Sequence, residues 1–325
     1  VTYDLDPELA VRVPGLVGID FGDVAGARAA LRALAARQPP RPPAAPVDVT
    51  DVVVPGSRHG PGVPVRTYRP LGTARRRPVL IYLHWGGYVC GDLDSAHAAA
   101  LHTADLSGAV VVSVDYRLAP EHPYPAGLED CYAALVWAAR SAERLGGDPR
   151  AIGVAGESAG GGLAAGLALL TRDRSGPPLV FQCLASPQLD DRLTTVSARG
   201  FTDTPKLTSG AVARSWAHYL RTAGRPGDTS IPLYAAPARA DDLRGLPPAF
   251  ISVCEFDPLR DEGIAYAQRL LEAGVSTEVH AYAGTFHAAQ SITDAGVSQR
   301  MRADQIDALR RNLRARGTTD QGDDR

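Results

Sequence analysis

The chain has 325 residues, a formal net charge of −2 at neutral pH, 45% hydrophobic and 22% charged residues. That length buries a large core as one or two domains, and the balance excludes a disordered or fibrous chain. The small charge gives no footprint for nucleic acid or an anionic membrane, and no apolar run is long enough to cross a bilayer.

The start, Val1-Thr-Tyr-Asp-Leu-Asp6, has no signal-peptide character, so the cytoplasm is the expected location. Residues 1–45 read as a helical N-terminal segment. Leu9, Val11, Val13 and Leu16 offer apolar contacts there, and Val24 to Ala36 reads as an Ala/Arg/Leu helix. The prolines of 38–43 end it, because each removes a donor and blocks the helix. Strands follow at about 47–54 and 63–69, and Pro78 to His84 is the nearly all-apolar run of a strand covered on both faces.

From there strands and helices alternate. A helix at about 95–107 precedes a strand at 109–115, and a helix at about 126–144 aligns Leu128, Tyr132, Leu135, Val136 and Ala139. A strand over Ala151–Ala155 leads into an Ala/Leu-rich helix, then a strand at 179–185. The strand 249–254, a helix at about 260–273 with Ile264, Ala267, Leu270 and Leu271 in phase, the strand 277–282 and a helix ending near Leu313 complete the pattern. Residues 318–325 read as a frayed polar tail. Such alternation predicts an α/β class with a mostly parallel sheet and helices on both faces.

Residues of about 188–232 break the alternation. An insertion there would lie over the carboxyl ends of the strands, where such sheets form their sites. It is read as a lid packed with the N-terminal helices, against the plainer reading of a surface helix pair. The organisation is therefore an N-terminal cap segment (1–45), a first core part (46–187), a cap insertion (188–232) and a second core part (233–325).

Gly156-Glu157-Ser158-Ala159-Gly160 lies where a strand turns into a helix. A serine on such a turn exposes its oxygen, and the helix aims free N–H groups at the same point. With 33 glycines the G-x-S-x-G alone is weak, and its context gives it force. Gly160 to Ala165 also fits G-x-G-x-x-A, but the serine turn separates it from the strand and no suitably spaced acid follows, so the dinucleotide reading is set aside.

A serine nucleophile needs a base, the base an orienting acid, and the oxyanion donors. In a strand–elbow fold the order is Ser, Asp or Glu, then His. Asp257 lies just past a strand, with Pro258 fixing a turn, and Glu255 and Asp261 are its competitors. Of eight histidines, His287 sits on the loop after the next strand, whereas His280 lies inside it and His84 more naturally ties down its own loop. Gly86 and Gly87, with Ala159, would supply the oxyanion N–H groups. The four cysteines Cys90, Cys131, Cys183 and Cys254 have no C-x-x-C spacing and read as buried thiols. Lys206 is the only lysine, a usage that points to GC-rich coding more than to function.

Together His84-Trp-Gly-Gly87, Asp115-Tyr-Arg-Leu-Ala-Pro-Glu-His-Pro-Tyr-Pro-Ala126, Gly156-Glu-Ser-Ala-Gly160, Asp257-Pro-Leu-Arg-Asp261 and the late His287 resemble the hormone-sensitive-lipase family of α/β-hydrolases, in its bacterial esterase branch. The resemblance implies an α/β-hydrolase fold with a helical cap and hydrolysis of small carboxylic esters without cofactor or metal. It implies Ser158, Asp257 and His287 as the triad, and Gly86, Gly87 and Ala159 as the hole. Lactone, carbamate or amide hydrolysis could use the same groups. The family resemblance also includes plant gibberellin receptors, which bind hormone and lack the triad histidine, and the presence of His287 argues for an enzyme. The expected partners are a small-molecule ester and a second copy in a homodimer, with no nucleic acid and no membrane span. Two departures stand out: Trp85 replaces the first glycine of the usual H-G-G-G, and Ala288 replaces the glycine that usually follows the histidine. Trp85 and Tyr88 are the expected pocket residues, Trp85 by filling the room a glycine would leave.

Overall fold

The computed structural model describes residues 3–37, 41–57, 60–72 and 76–313. The tail expected to fray, 318–325, lies outside them. The N-terminal segment forms a short helix α1 (Pro7–Ala10) and a longer α2 (Val24–Arg37). An antiparallel pair, β1 (Val47–Val54) and β2 (Val63–Pro70), comes next. Then β3 (Arg77–Leu83), α3 (Leu93–Ser107), β4 (Val110–Val114), α4 (Ala126–Ser141), β5 (Gly147–Glu157), α5 (Ala159–Asp173) and β6 (Phe181–Ala185) alternate. The interruption holds two helices, α6 (Val196–Gly200) and α7 (Ser209–Tyr219), and no strand among the described residues. β7 (Ala249–Phe256), α8 (Arg260–Glu272), β8 (Thr277–Phe286) and α9 (Gly296–Asn312) finish the chain.

The eight strands form one sheet in the order β1-β2-β4-β3-β5-β6-β7-β8. From β4 to β8 all neighbours are parallel. Strands β4 and β6 are buried along their whole length, because helices cover both faces. One face packs α4, α5 and α8 with residues from the interruption, and the other packs α3 and α9. Helix α3 is fixed at both ends: Asp92 and Ser95 form a capping box, and Gly108 closes it at φ 73°.

Two expected faces are corrected. On α8 the buried side is Gly263, Tyr266, Ala267 and Leu270, whereas Ile264 and Leu271 are 41% and 53% exposed. The buried face keeps Ala267 and Leu270 of the expected stripe and adds Tyr266, one turn before Leu270. In the N-terminal segment Leu9 is fully buried, but Val11 is 74% exposed, because the chain there forms a turn rather than an extended contact.

The centre of the sheet is held by backbone contact. A Cβ on Gly160 would lie 2.1 Å from Leu83 O and 2.4 Å from His84 O, and one on Gly156 2.1 Å from Gly160 O. The start of α5 therefore touches the end of β3 directly. Gly160→Ala should cost about 3 kcal/mol of stability, as overpacking against rigid backbone does. A urea unfolding midpoint unchanged from wild type would refute this close contact.

Candidate active site

Strand β5 ends at Glu157, and Ser158 turns the chain at φ 57° and ψ −123° before α5 begins. A non-glycine residue at positive φ is strained, and only the surrounding packing holds it there. Ser158 N–H donates to Ala185 O at 2.9 Å, and its carbonyl accepts from Gln188 N at 3.0 Å, so β6 and its following loop clamp the turn.

Strand β8 runs to Phe286, which puts His287 at its carboxyl end. His287 Nε2 lies 3.0 Å from Ser158 Oγ, and Nδ1 lies 2.7 Å from Asp257 Oδ2. Asp257 has no exposed surface, and its other oxygen accepts Leu259 N–H at 2.9 Å in the turn that Pro258 imposes. The competing acids have other partners. Glu255 accepts Gly284 N–H at 2.7 Å, and Asp261 accepts Ser197 N–H at 2.8 Å and the Arg260 guanidinium. Burial alone would push the His287 pKa down, but the charge and hydrogen bond of Asp257, with Glu157 adding, hold it above the ordinary histidine value.

The loop after β3 approaches the serine from the other side. Gly86, Gly87 and Tyr88 have φ of 126°, 60° and 63°. A Cβ on Gly86 would meet Cys90 O at 2.2 Å, and one on Gly87 the Phe21 ring at 2.5 Å. The N–H groups of Gly86, Gly87 and Ala159 donate to no other described residue. Trp85 stays outside the positive-φ region, so the tryptophan requires no rearranged backbone, and its partly buried indole packs against the main core. The positive angles fall on the next three residues instead. Tyr88, expected in the pocket lining, is only 2% exposed. Its hydroxyl donates to Gln188 O at 3.0 Å and its ring stacks on Tyr219, so it is a packing residue with almost no surface for a ligand.

His84 anchors this loop, in line with the sequence. Its Nδ1 lies 2.7 Å from Trp85 O, and its ring stacks on Tyr116 with centroids 4.2 Å apart. Tyr116, from the Asp115–Ala126 block, also donates to His84 O at 2.8 Å. Burial pushes the His84 pKa down to about 4, so the imidazole is neutral. Ala288 adopts φ 59° and ψ 28°, the left-handed conformation that explains a glycine preference there. All four cysteines are free and buried.

Phe21 and Lys206 were not singled out for this neighbourhood from sequence. The peptide of Phe21 is held by His218 Nε2 at 2.9 Å, and the Asp20 carboxylate pairs with Arg214 at 2.9 Å. The N-terminal segment thus packs on α7 and leans over Gly87. The packing of the N-terminal helices on the insertion was expected from the sequence; the placing of Phe21 over Gly87 was not.

A family model for the alpha/beta hydrolase fold matches residues 80–291. The chain is 48% identical over 217 residues to carboxylesterase NlhH of Mycobacterium tuberculosis, covering 67% of this chain and 68% of that one. It belongs to the hormone-sensitive-lipase family of α/β-hydrolases. Esterase LipI of the same organism is 41% identical over 299 residues, covering 88% of this hydrolase and 90% of LipI. Among solved structures, a bacterial heroin esterase superposes with a TM-score of 0.93 at 45% identity, over 96% of the hydrolase and 98% of that chain.

The geometry separates the three acids of the hydrolase. Asp257→Asn should lower kcat by about 10⁴-fold, because the amide favours the wrong imidazole tautomer. Glu255→Gln and Asp261→Asn should each stay within about tenfold of wild type, since neither touches His287. Steady-state kinetics of the three variants would expose a misassigned acid as the one with the severe loss.

Proposed function

We propose that Ser158 is the nucleophile, His287 the general base and Asp257 its orienting acid in a serine carboxylesterase acting on small carboxylic esters. The observation that carries this reading is the hydrogen-bonded chain from Ser158 Oγ through His287 to Asp257, with spacings of 3.0 and 2.7 Å. The names of the relatives point to the same chemistry.

His287 Nε2 takes the hydroxyl proton as Oγ attacks the ester carbonyl. The carbonyl oxygen gains negative charge and moves towards the N–H groups of Gly86, Gly87 and Ala159. Their freedom from other acceptors, and the start of α5 behind Ala159, support this role. The tetrahedral species collapses, the imidazolium protonates the departing alcohol, and an acyl-enzyme remains on Ser158. Water deprotonated by His287 then repeats the sequence and releases the acid. Asp257 keeps Nδ1–H in place and balances the imidazolium charge. No step calls for a metal or cofactor.

The N-terminal segment and residues 188–232 act as one cap over this site. The Phe21–His218 and Asp20–Arg214 contacts support it. Cytoplasmic location and a homodimer belong to the same reading, supported by the four free thiols and by the position of β8 at one edge of the described sheet. Among the described residues no helix is long and apolar enough to cross a membrane.

Ser158→Ala should remove p-nitrophenyl ester hydrolysis by several orders of magnitude while unfolding stays cooperative. Substantial turnover by the folded variant would overturn the reading, and wild-type rates on lactones, carbamates and anilides would rank the related substrates. Trp85 is proposed to wall one side of the pocket. Trp85→Gly should leave acetate esters near wild-type rates and raise turnover of bulkier esters. A uniform fall across all esters with a lower Tm would make Trp85 a packing residue only.

A further inference from the structure

We propose that Lys206 is a positioning residue for His287: it ties the turn that follows the imidazole to the cap and to the N-terminal segment, and keeps a positive charge beside the base. This inference rests on the assignment of His287 as the general base.

Lys206 is the only lysine of the chain, and it lies between α6 and α7. Its backbone has φ 65°, a conformation that a side chain of this size adopts only when its surroundings impose it. Both ends of the residue are engaged. Its carbonyl accepts Ile19 N–H at 3.3 Å, two residues before Phe21, whose ring covers Gly87. Its ammonium donates to Ala288 O at 3.3 Å and to Ser291 Oγ, both on the loop that carries His287. Ser291 Oγ in turn donates to Ala288 O at 2.9 Å, so the two polar groups converge on one carbonyl. That carbonyl belongs to the strained left-handed residue next to the base. One residue therefore joins the two sides of the site, its carbonyl reaching the N-terminal segment beside Gly87 and its ammonium reaching the turn after His287.

The charges around the imidazole come from three directions. Asp257 stands at the end of β7 and Glu157 at the end of β5, and both favour imidazolium. Lys206, from the cap, opposes them. Ser158, which faces Nε2, is neutral, and Cys254 on β7 is a protonated thiol because burial pushes it up to about 12. Glu157 also helps keep Lys206 charged against the burial that lowers its pKa. The base must be neutral to accept the serine proton, and a cation beside it keeps it neutral to lower pH. The cation thus extends activity on the acid side, while its hydrogen bonds hold the turn.

The test is the pH profile of kcat/KM for p-nitrophenyl acetate in wild type, Lys206→Gln and Lys206→Arg. Glutamine keeps a hydrogen-bond donor and loses the charge, whereas arginine keeps the charge. In Lys206→Gln the acid limb should move to higher pH, giving a fall of about threefold on the limb with a smaller change on the plateau. In Lys206→Arg the limb should remain at its wild-type position. A plateau loss in Lys206→Gln without movement of the limb would overturn the inference and leave Lys206 a structural tether. Should Lys206→Gln fail to fold, Lys206→Arg still decides: a limb displaced despite the retained charge would reject the electrostatic role. Ser158→Ala separates the two levels. If it abolishes turnover while the limb ignores Lys206, only this inference falls; if it leaves turnover, the assignment of the site falls first.

Discussion

Everything at the site follows from the contact between the first turn of α5 and the ends of β3 and β5. At Gly156 and Gly160 the backbones meet with no room for a methyl group. That approach lets a strained serine, only 6% exposed, stand at a helix start with the Gly86–Gly87 loop beside it. Residues Ala159 to Thr171 of α5 are buried, so the helix is gripped by its neighbours along nearly its full length. The strain at Ser158 is held by this grip and by the clamps from Ala185 O and Gln188 N, rather than by any local preference of serine.

The proposed base and acid arrive through the sheet. Parallel pairing of β7 with β8 puts their carboxyl ends on the same edge of the fold, and Asp257 and His287 each sit on the turn just beyond. Such ends are where open α/β sheets collect their functional groups, because the strand register sets the spacing and the loops are free to vary. The neutral His84–Tyr116 stack does the corresponding work below the Gly86–Gly87 loop.

Much of this was legible in the sequence, for a physical reason in each case. The apolar runs of β3, β4 and β5 announce strands covered on both faces, and glycines on either side of Ser158 announce a turn. Asp257 was legible because proline fixes the chain after it, and His287 because it follows a strand. What depended on distant packing was not legible. Nothing near Ile264 says that Tyr266, rather than Ile264 and Leu271, will share the buried face of α8 with Ala267 and Leu270. Tyr88 looks like a pocket residue until Tyr219 and Gln188 are brought over it from elsewhere in the chain. Lys206 stood out only by its rarity, since its partners at Ile19, Ala288 and Ser291 are far from it along the chain.

The two buried imidazoles of the site respond to acid in opposite senses. His287 has a raised pKa in the folded protein, so its share of stability is present below the unfolded value and fades as the pH rises through the folded one. His84 has its pKa pushed down to about 4, so the unfolded chain takes up a proton that the folded chain refuses. As the pH falls from the ordinary histidine value towards that figure, a penalty of about 3 kcal/mol builds up against the fold. It falls on the His84–Tyr116 stack beneath the Gly86–Gly87 loop. Acid thus bears on the fold at this one buried ring: a proton on His84 would be taken up at the expense of the stack beneath the Gly86–Gly87 loop.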